Sequence, residues 1–384
     1  MLLYIHFPFC LKKCNYCAFF SLEYVPEMVE LYLKGLEQEI YFWSRYFQSP
    51  RVHSIYIGGG TPSLLKEQEL DRIVSLIYKN FAVERQIEFS LEVNPESCKP
   101  KDKLVVWKNI GVNRVSLGVQ SFDPESLFLL GRIHNLKQVR ESYFLLRGIG
   151  FKNINLDLMF GLPKQTVKRW LEELKQAIRL KPEHLSCYGF TFEQGTYLCE
   201  NKKNYKWPDE EEVSRMYIYG GEYLEANGYI QYEISNFSRM GYRCLHNLGY
   251  WEGQDFLGLG PSAVSTINSK RWQNPANIKE YVLMVENGCL LREREKINRV
   301  KKINEFIMLS LRTTKGLNVR EFYKLTGINF FKKFESVICL LHKNKLISIR
   351  DGYLRLTRTG MLLSDSIIPQ FFMEEKRCLV GEVK

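Results

Sequence analysis

The chain has 384 residues, 45% hydrophobic and 14% aromatic, with ten cysteines and a formal net charge of +11. That length exceeds what one hydrophobic core usually serves, so two domains are expected, and the apolar content excludes a disordered chain. Irregular cysteine spacing outside one tight cluster excludes a disulfide scaffold and points to a reducing cytoplasm; no stretch reads as a signal peptide or a membrane span.

The first element is a strand at 2–7, running into Tyr4-Ile-His-Phe-Pro-Phe-Cys10-Leu-Lys-Lys-Cys14-Asn-Tyr-Cys17. One short loop can direct three thiols at C-x3-C-x2-C spacing toward a single point. Three thiolates can hold three irons of a [4Fe-4S] cubane and leave the fourth for a non-protein ligand, whereas electron carriers use four cysteines. A zinc site lacking its fourth ligand and three unconnected core cysteines are the plainer alternatives. Zinc sites usually show paired C-x2-C elements, and no second pair follows.

Further strands are expected at 53–58, 87–94, 114–120, 153–160 and 184–190. They alternate with helical periodicity at 27–47, 66–80, 101–110, 135–148 and 167–180, a pattern of parallel strands and crossover helices. Within the strands one face is polar: Tyr4 and His6; Ser90, Glu92 and Asn94; Arg114, Ser116 and Gln120; Asn153, Asn155 and Asp157. A doubly wound sheet would read as apolar on both faces. A partial barrel with a polar lumen fits better, with ligands at the carboxyl ends of its strands. A solvent-facing antiparallel sheet is the alternative, and the intervening helices count against it. At those ends lie Gly58-Gly59-Gly60-Thr61-Pro62, which lets a ligand approach the backbone and offers amides, then Glu92, Gln120, Arg132 and Asp157.

This barrel is assigned to residues 1–235. Residues 236–296 form a second segment, holding Cys244-Leu-His246-Asn247-Leu-Gly-Tyr250-Trp251, a glycine-rich run expected to close the barrel's open side, and a linking helix at 277–287. An imidazole beside large aromatics is chemically suited to haem iron and its ring, but from chemistry alone His246 and Asn247 read first as loop hydrogen-bonders with Tyr250 and Trp251 filling core. Residues 297–384 form a third part with helices at 303–312, 318–325 (N-cap Asn318) and 329–344, then a hairpin around Asp351-Gly352, a winged-helix-like α+β order. Residues 290–384 carry 20 Lys/Arg against 10 Asp/Glu, nearly all of the net charge. The candidate recognition helix supplies mainly Lys332, Lys333 and Lys343 without a base-reading tract. A docking surface for protein, membrane lipid or haem propionates is therefore expected ahead of nucleic acid.

The cysteine spacing with its aromatics resembles the radical S-adenosylmethionine (SAM) superfamily. Tyr4-x-His6-x-Pro8-Phe9-Cys10, Gly58-Gly-Gly-Thr61-Pro62, Glu92-x-Asn94-Pro95, Gly118-Val-Gln120-Ser-Phe122 and Asp157-Leu-x-x-Gly161-Leu-Pro163 are similar, in order, to the branch containing oxygen-independent coproporphyrinogen III oxidases. The resemblance implies an α/β fold, a partial (β/α)6 TIM-like radical SAM barrel. It implies a [4Fe-4S] cluster on Cys10, Cys14 and Cys17, with SAM on the open iron. It also implies SAM contacts from Tyr4, Tyr16, Gly59, Gly60, Thr61, Glu92, Gln120, Arg132 and Asp157: glycine amides for the methionyl end, carboxylates for ribose hydroxyls, Arg132 for an anionic group. If SAM is cleaved, an electron from the cluster breaks its sulfur–C5′ bond.

Two features depart from the oxidases. Phe19 stands where they resemble a further cysteine, and nine residues precede Cys10 where they carry a longer segment that helps form the porphyrinogen site. His246-Asn247-x-x-Tyr250-Trp251 instead looks like the signature of the radical SAM haem chaperones, the HemW family. That resemblance implies haem contacts at His246, Asn247, Tyr250 and Trp251 and delivery of haem to an acceptor protein, membrane respiratory enzymes among them, with peripheral rather than spanning membrane contact. The enzymatic alternative is coproporphyrinogen III dehydrogenase; a radical SAM RNA-modifying enzyme is a third class, supported by the basic tail alone.

Overall fold

The computed structural model describes residues 1–291 and 295–374. Six strands, β1 (Leu2–Phe7), β2 (Arg51–Gly59), β3 (Ala82–Val93), β4 (Arg114–Gln120), β5 (Ile154–Phe160) and β6 (His184–Gly189), lie side by side in chain order and run parallel. Their register turns sequence parity into layers. Tyr4 pairs with Tyr56, Tyr56 with Ser90 and Ser90 with Arg114. One step further along, Glu92 pairs with Ser116, Ser116 with Asn155 and Asn155 with His184. Because neighbouring residues point to opposite faces, the polar residues share one side and Ile5, Ile57, Leu91, Leu117 and Leu156 share the other.

Helices cover the apolar side. α1 (Pro26–Tyr46), α2 (Glu67–Asn80), α3 (Lys101–Asn109), α4 (Pro124–Leu129), α5 (Leu136–Ile149) and α6 (Val167–Leu180) fall where the periodicity predicts, apart from the short α4. Leu36 and Ile40, Leu70 and Ile77, Trp107, Leu146, Trp170 and Leu174 join the strands' aliphatic side chains in one buried core. Each such side chain contributes about 1.5–3 kcal/mol on burial. Local signals set the boundaries: Asn135 and Gln138 form a reciprocal capping box at the start of α5, and Gly150 at φ +95° ends it in the left-handed conformation.

The polar side is wet only in its upper half. Ser90, Arg114, Asn155 and His184 are at most 1% exposed. There His184 Nδ1 pairs with Asn155 Oδ1 (2.6 Å), its Nε2 pairs with the Tyr232 hydroxyl (2.7 Å), and Asn155 Nδ2 donates to Ser116 (2.7 Å). The lower lumen is thus a dry, hydrogen-bonded plug, as small barrels filled by side chains require. The lumen is polar along its length, as expected, but open only toward the carboxyl ends of the strands.

After β7 (Ile230–Gln231) and β8 (Asn236–Ser238), which extend the β6 edge antiparallel, the glycine-rich run supplies a strand rather than a bare connection. β9 (Phe256–Leu259) pairs parallel with β1, Leu3 opposite Leu257, and the hairpin β10 (Val264–Ile267) and β11 (Lys270–Gln273) follows. The buried Glu39 carboxylate on α1 gathers this edge: it accepts from Gly260 N (2.8 Å), Asn274 Nδ2 (2.8 Å), Tyr281 Oη (2.7 Å) and Trp43 Nε1 (3.2 Å). Residues 236–250 and 254–295 therefore belong to the barrel unit, while 251–253 group with the unit that starts at Lys296.

That C-terminal unit holds Arg299–Leu311, Val319–Thr326 capped by Asn318, and a hairpin of Ile347–Arg350 and Tyr353–Leu356 turning through Asp351 and Gly352 at positive φ. Leu317–Asn318 adds a third strand. The single helix expected over 329–344 is two pieces, Phe330–Lys333 and Glu335–Lys343, broken where Phe334 leaves helical geometry (ψ 27°). Phe330 and Phe334 both pack against Phe371, an anchor far along the chain. Among the described residues no helix is long and apolar enough to cross a membrane.

Candidate cofactor site

The cysteine loop is tied down at its base and its flank. Phe9–Cys10 pairs in parallel with Leu22–Glu23, and Tyr24 N donates to Cys10 O (2.9 Å). Asn15 anchors the middle, donating from its amide to Leu130 O (3.0 Å) and from its side chain to Leu129 O (2.8 Å). Tyr4 Oη pairs with His6 Nδ1 (3.0 Å), and His6 Nε2 with Phe20 O (2.8 Å). Tyr4 does not line the cavity described next; it acts on the loop through His6.

Cys10, Cys14 and Cys17 face a cavity of about 440 Å³ at the carboxyl ends of the strands, within the usual size of small-molecule sites. Tyr16, Gly59, Gly60, Thr61, Glu92, Gln120, Arg132 and Asp157 line the same space. Of the residues expected around the cluster and SAM, Tyr4 alone stands outside it. Tyr56, Asn94, Glu96, Ser116 and Tyr188 also line it and were not among them. For Tyr56 the signal was available, since Ser54, Tyr56 and Gly58 repeat the alternation that singled out Glu92.

The glycine loop works differently from the expectation. Gly59 N donates to Glu92 Oε2 (3.1 Å), Gly60 N to Phe7 O (2.7 Å) and Thr61 N to Phe9 O (2.8 Å). With these amides taken, Gly59, Gly60 and Thr61 offer a carboxylate no free backbone donor. The glycines themselves answer to internal crowding. A Cβ on Gly60 would sit 2.6 Å from Phe9 O, and one on Gly59, at φ +109°, would meet the His6 ring at 2.6 Å.

The electrostatics are layered. Burial, with Asp157 nearby, pushes the Glu92 carboxyl up to about 7, even though Tyr56 Oη (2.8 Å) and Gly59 N donate to it. Burial also raises Asp157, which accepts from Ser116 (3.0 Å) and Asn155 (2.8 Å). Arg132 donates from Nη2 to Asn94 Oδ1 (2.6 Å) and Gly118 O (3.1 Å), and from Nη1 to Cys14 Sγ (3.4 Å). Its buried Nε has no hydrogen-bond partner among the described residues. Beneath it, Glu96 lies 3.3 Å from His134; burial pushes that carboxyl up, but His134 and Arg132 outweigh it and hold it below its ordinary value.

These residues fit an iron–sulfur cluster and a cationic, hydroxyl-bearing nucleotide. Among the described residues no three metal-ligating side chains converge on a single-ion position. The thiols instead border a shared space, with Thr61 Oγ1 3.5 Å from Cys10 Sγ and Arg132 beside Cys14 to compensate thiolate charge. Burial raises the Cys10 thiol, and pushes Cys17 up to about 11; soft metal displaces such protons on binding.

The His246 motif lies one layer lower. His246 sits on the helix Leu245–Trp251 and is 1% exposed, its ring 5.1 Å from that of Tyr56. Nδ1 pairs with Ser54 Oγ (2.8 Å) and Nε2 with Tyr250 Oη (3.1 Å), while Glu88 accepts from the Leu245 and His246 amides (2.8 and 2.9 Å). Burial, with Arg114, pushes the imidazole down to about 3. Both ring nitrogens are thus engaged, so the expected iron ligand has no free nitrogen in this geometry. Asn247 and Trp251 are half-buried, and none of the four motif residues borders the cavity.

Comparison with known proteins agrees with this architecture. The Radical SAM superfamily model matches residues 4–177, and the HemN C-terminal domain model matches 298–363. The haem chaperone HemW of Bacillus subtilis (strain 168) is 36% identical over 97% of this chain and 99% of its own. The HemW of Escherichia coli (strain K12) is 32% identical over 97% and 98%. Among solved structures, coproporphyrinogen III oxidase (HemN) from Escherichia coli, a radical SAM enzyme, superposes with TM-score 0.84 at 27% identity, covering 97% of this chain and 90% of that one.

Proposed function

This chain belongs to the haem chaperone HemW family, and from that premise we propose that it binds haem and passes it to an acceptor protein, with a [4Fe-4S] cluster and SAM in the cavity. The observation that carries this reading is end-to-end similarity to haem chaperones at 36% identity, covering 97% of this chain. Cys10, Cys14 and Cys17 would hold the cluster. When bound, the cluster and SAM together supply reductive cleavage of a sulfur–carbon bond. The chain's own residues position and shield. Gly59 and Gly60 would border the methionyl end of SAM, Glu92 and Asp157 would accept ribose hydroxyls, and Arg132 would face an anionic group. Tyr56 and the dry layer beneath it close the floor to water. Haem-accepting respiratory enzymes at a membrane are the acceptor class we infer.

The test is anaerobic reconstitution followed by haem titration and transfer to an apo-haem protein. Haem uptake and transfer support the reading, and absence of uptake overturns it. Coproporphyrinogen dehydrogenation is the second reading, favoured by the superposition on the oxidase. Phe19, 69% exposed at the cavity rim where the oxidases resemble a fourth cysteine, weighs against it. Formation of protoporphyrinogen from coproporphyrinogen, SAM and reductant would establish it.

A further inference from the structure

The cysteine loop borders a second hollow. A groove of about 850 Å³ shares Lys12, Gly131 and Arg132 with the cofactor cavity and runs along Asn15, α4 and the segments around Pro163 and Tyr205. Its apolar surface comes from Pro124, Phe128, Leu129 and Pro163, with Tyr197 and Tyr205 beside them. Phe128 is 85% exposed and Tyr197 51%, and large exposed rings that line one groove with polar residues at its rim mark a binding surface.

The groove is also cationic. Lys12, Lys164, Arg169 and Lys206 line it, and none forms an ion pair among the described residues. Of its two carboxylates, Asp123 is occupied in capping α4, accepting from Ser126 N (3.0 Å) and Oγ (2.8 Å), and Glu125 is exposed. Lys164 N donates to Lys206 O (3.0 Å), which ties the two lysine-bearing segments together. No histidine, cysteine or methionine lines the groove.

We propose that this groove seats the porphyrin, an inference that rests on the haem-binding reading. A flat apolar macrocycle with two carboxylates at one edge matches aromatic side chains flanked by unpaired lysines and arginine. The macrocycle lies on Phe128 and Tyr197, and its carboxylates meet Lys164, Arg169 and Lys206. The binding energy comes from ring and carboxylates rather than from a nitrogen or sulfur ligand to iron. Through Lys12, Asn15 and Arg132, the bound porphyrin also touches the loop and the arginine that border the cluster.

The test uses the reconstituted full chain, titrated with haem, iron-free protoporphyrin IX and protoporphyrin IX dimethyl ester. The expected result is that both free acids bind and the ester binds at least tenfold more weakly. The double variant Lys164→Glu/Arg169→Glu and the single variant Phe128→Glu each raise the Kd for haem at least tenfold, with cluster absorbance and SAM affinity kept. Haem binding that both variants retain at full strength overturns the groove. So does haem binding without protoporphyrin binding, because iron ligation would then dominate. If the unaltered chain takes up no porphyrin at all, the functional reading itself falls, an outcome distinct from the other two.

Discussion

Arg132 Nη1 lies 3.4 Å from Cys14 Sγ while Nη2 of the same guanidinium donates to Asn94 and Gly118. One rigid fork thus ties the cysteine loop to the ends of β3 and β4. A lysine ammonium cannot reproduce that geometry. Arg132→Lys is expected to lower SAM affinity tenfold or more and to leave a smaller share of chains with a cluster after reconstitution. Iron analysis and SAM calorimetry check both, and unchanged values would remove Arg132 from the site.

Glu92 provides a pH signature. Its carboxyl, pushed up to about 7 by burial and Asp157, loses its proton as pH rises through that value. The anion accepts hydroxyl hydrogen bonds more strongly than the neutral acid. SAM affinity is therefore expected to rise between about pH 6 and 8, and to be flat across this window in Glu92→Gln. Linkage gives the opposite sign for the ligand-free chain. A pKa raised on folding contributes stability below the ordinary carboxylate range, and that contribution is lost as pH rises through about 7. Glu92→Gln should abolish that decline in denaturant titrations.

What the sequence made legible was whatever has a short period or a local motif. Alternation along β3 to β5 placed Glu92, Ser116 and Asp157 on one face, and C-x3-C-x2-C marked the loop. Glu39 and Glu88 were invisible because, Trp43 apart, their partners lie more than 150 residues away, and a lone glutamate in a helix or strand reads as surface. His246 was legible as a motif but not as a placement. That its imidazole is taken by Ser54, 192 residues earlier, follows only from the strand order. The broken helix at Phe334 was missed for the same reason, its packing partner Phe371 lying outside any helical window.

His246→Ala leaves Ser54 Oγ and Tyr250 Oη without their buried partner. The expected cost is about 1–3 kcal/mol of unfolding free energy, the usual range for orphaned buried polar groups. Denaturant unfolding measures it. Haem affinity and the haem spectrum should stay unchanged; a shifted Soret band would instead make His246 an iron contact.

Glu39→Ala removes the acceptor that Gly260 N, Asn274 Nδ2, Tyr281 Oη and Trp43 Nε1 share and leaves a hole in its place. A loss of at least about 1–3 kcal/mol is expected, the usual range for leaving buried hydrogen-bonding groups without their partner. Because this carboxylate holds the β9 edge against β1, hydrogen exchange should quicken at Leu257 and Leu259 first.

The central claim is that the three loop cysteines carry an iron–sulfur cluster with one iron open to SAM. Anaerobic reconstitution with iron, sulfide and analysis of metal content, with spectra recorded before and after SAM, tests it most directly. The account predicts about four irons and four sulfides per chain, an electron paramagnetic resonance signal of the reduced cluster that SAM alters, and loss of both in Cys14→Ala. A single zinc per chain, or a cluster whose spectrum ignores SAM, would contradict it.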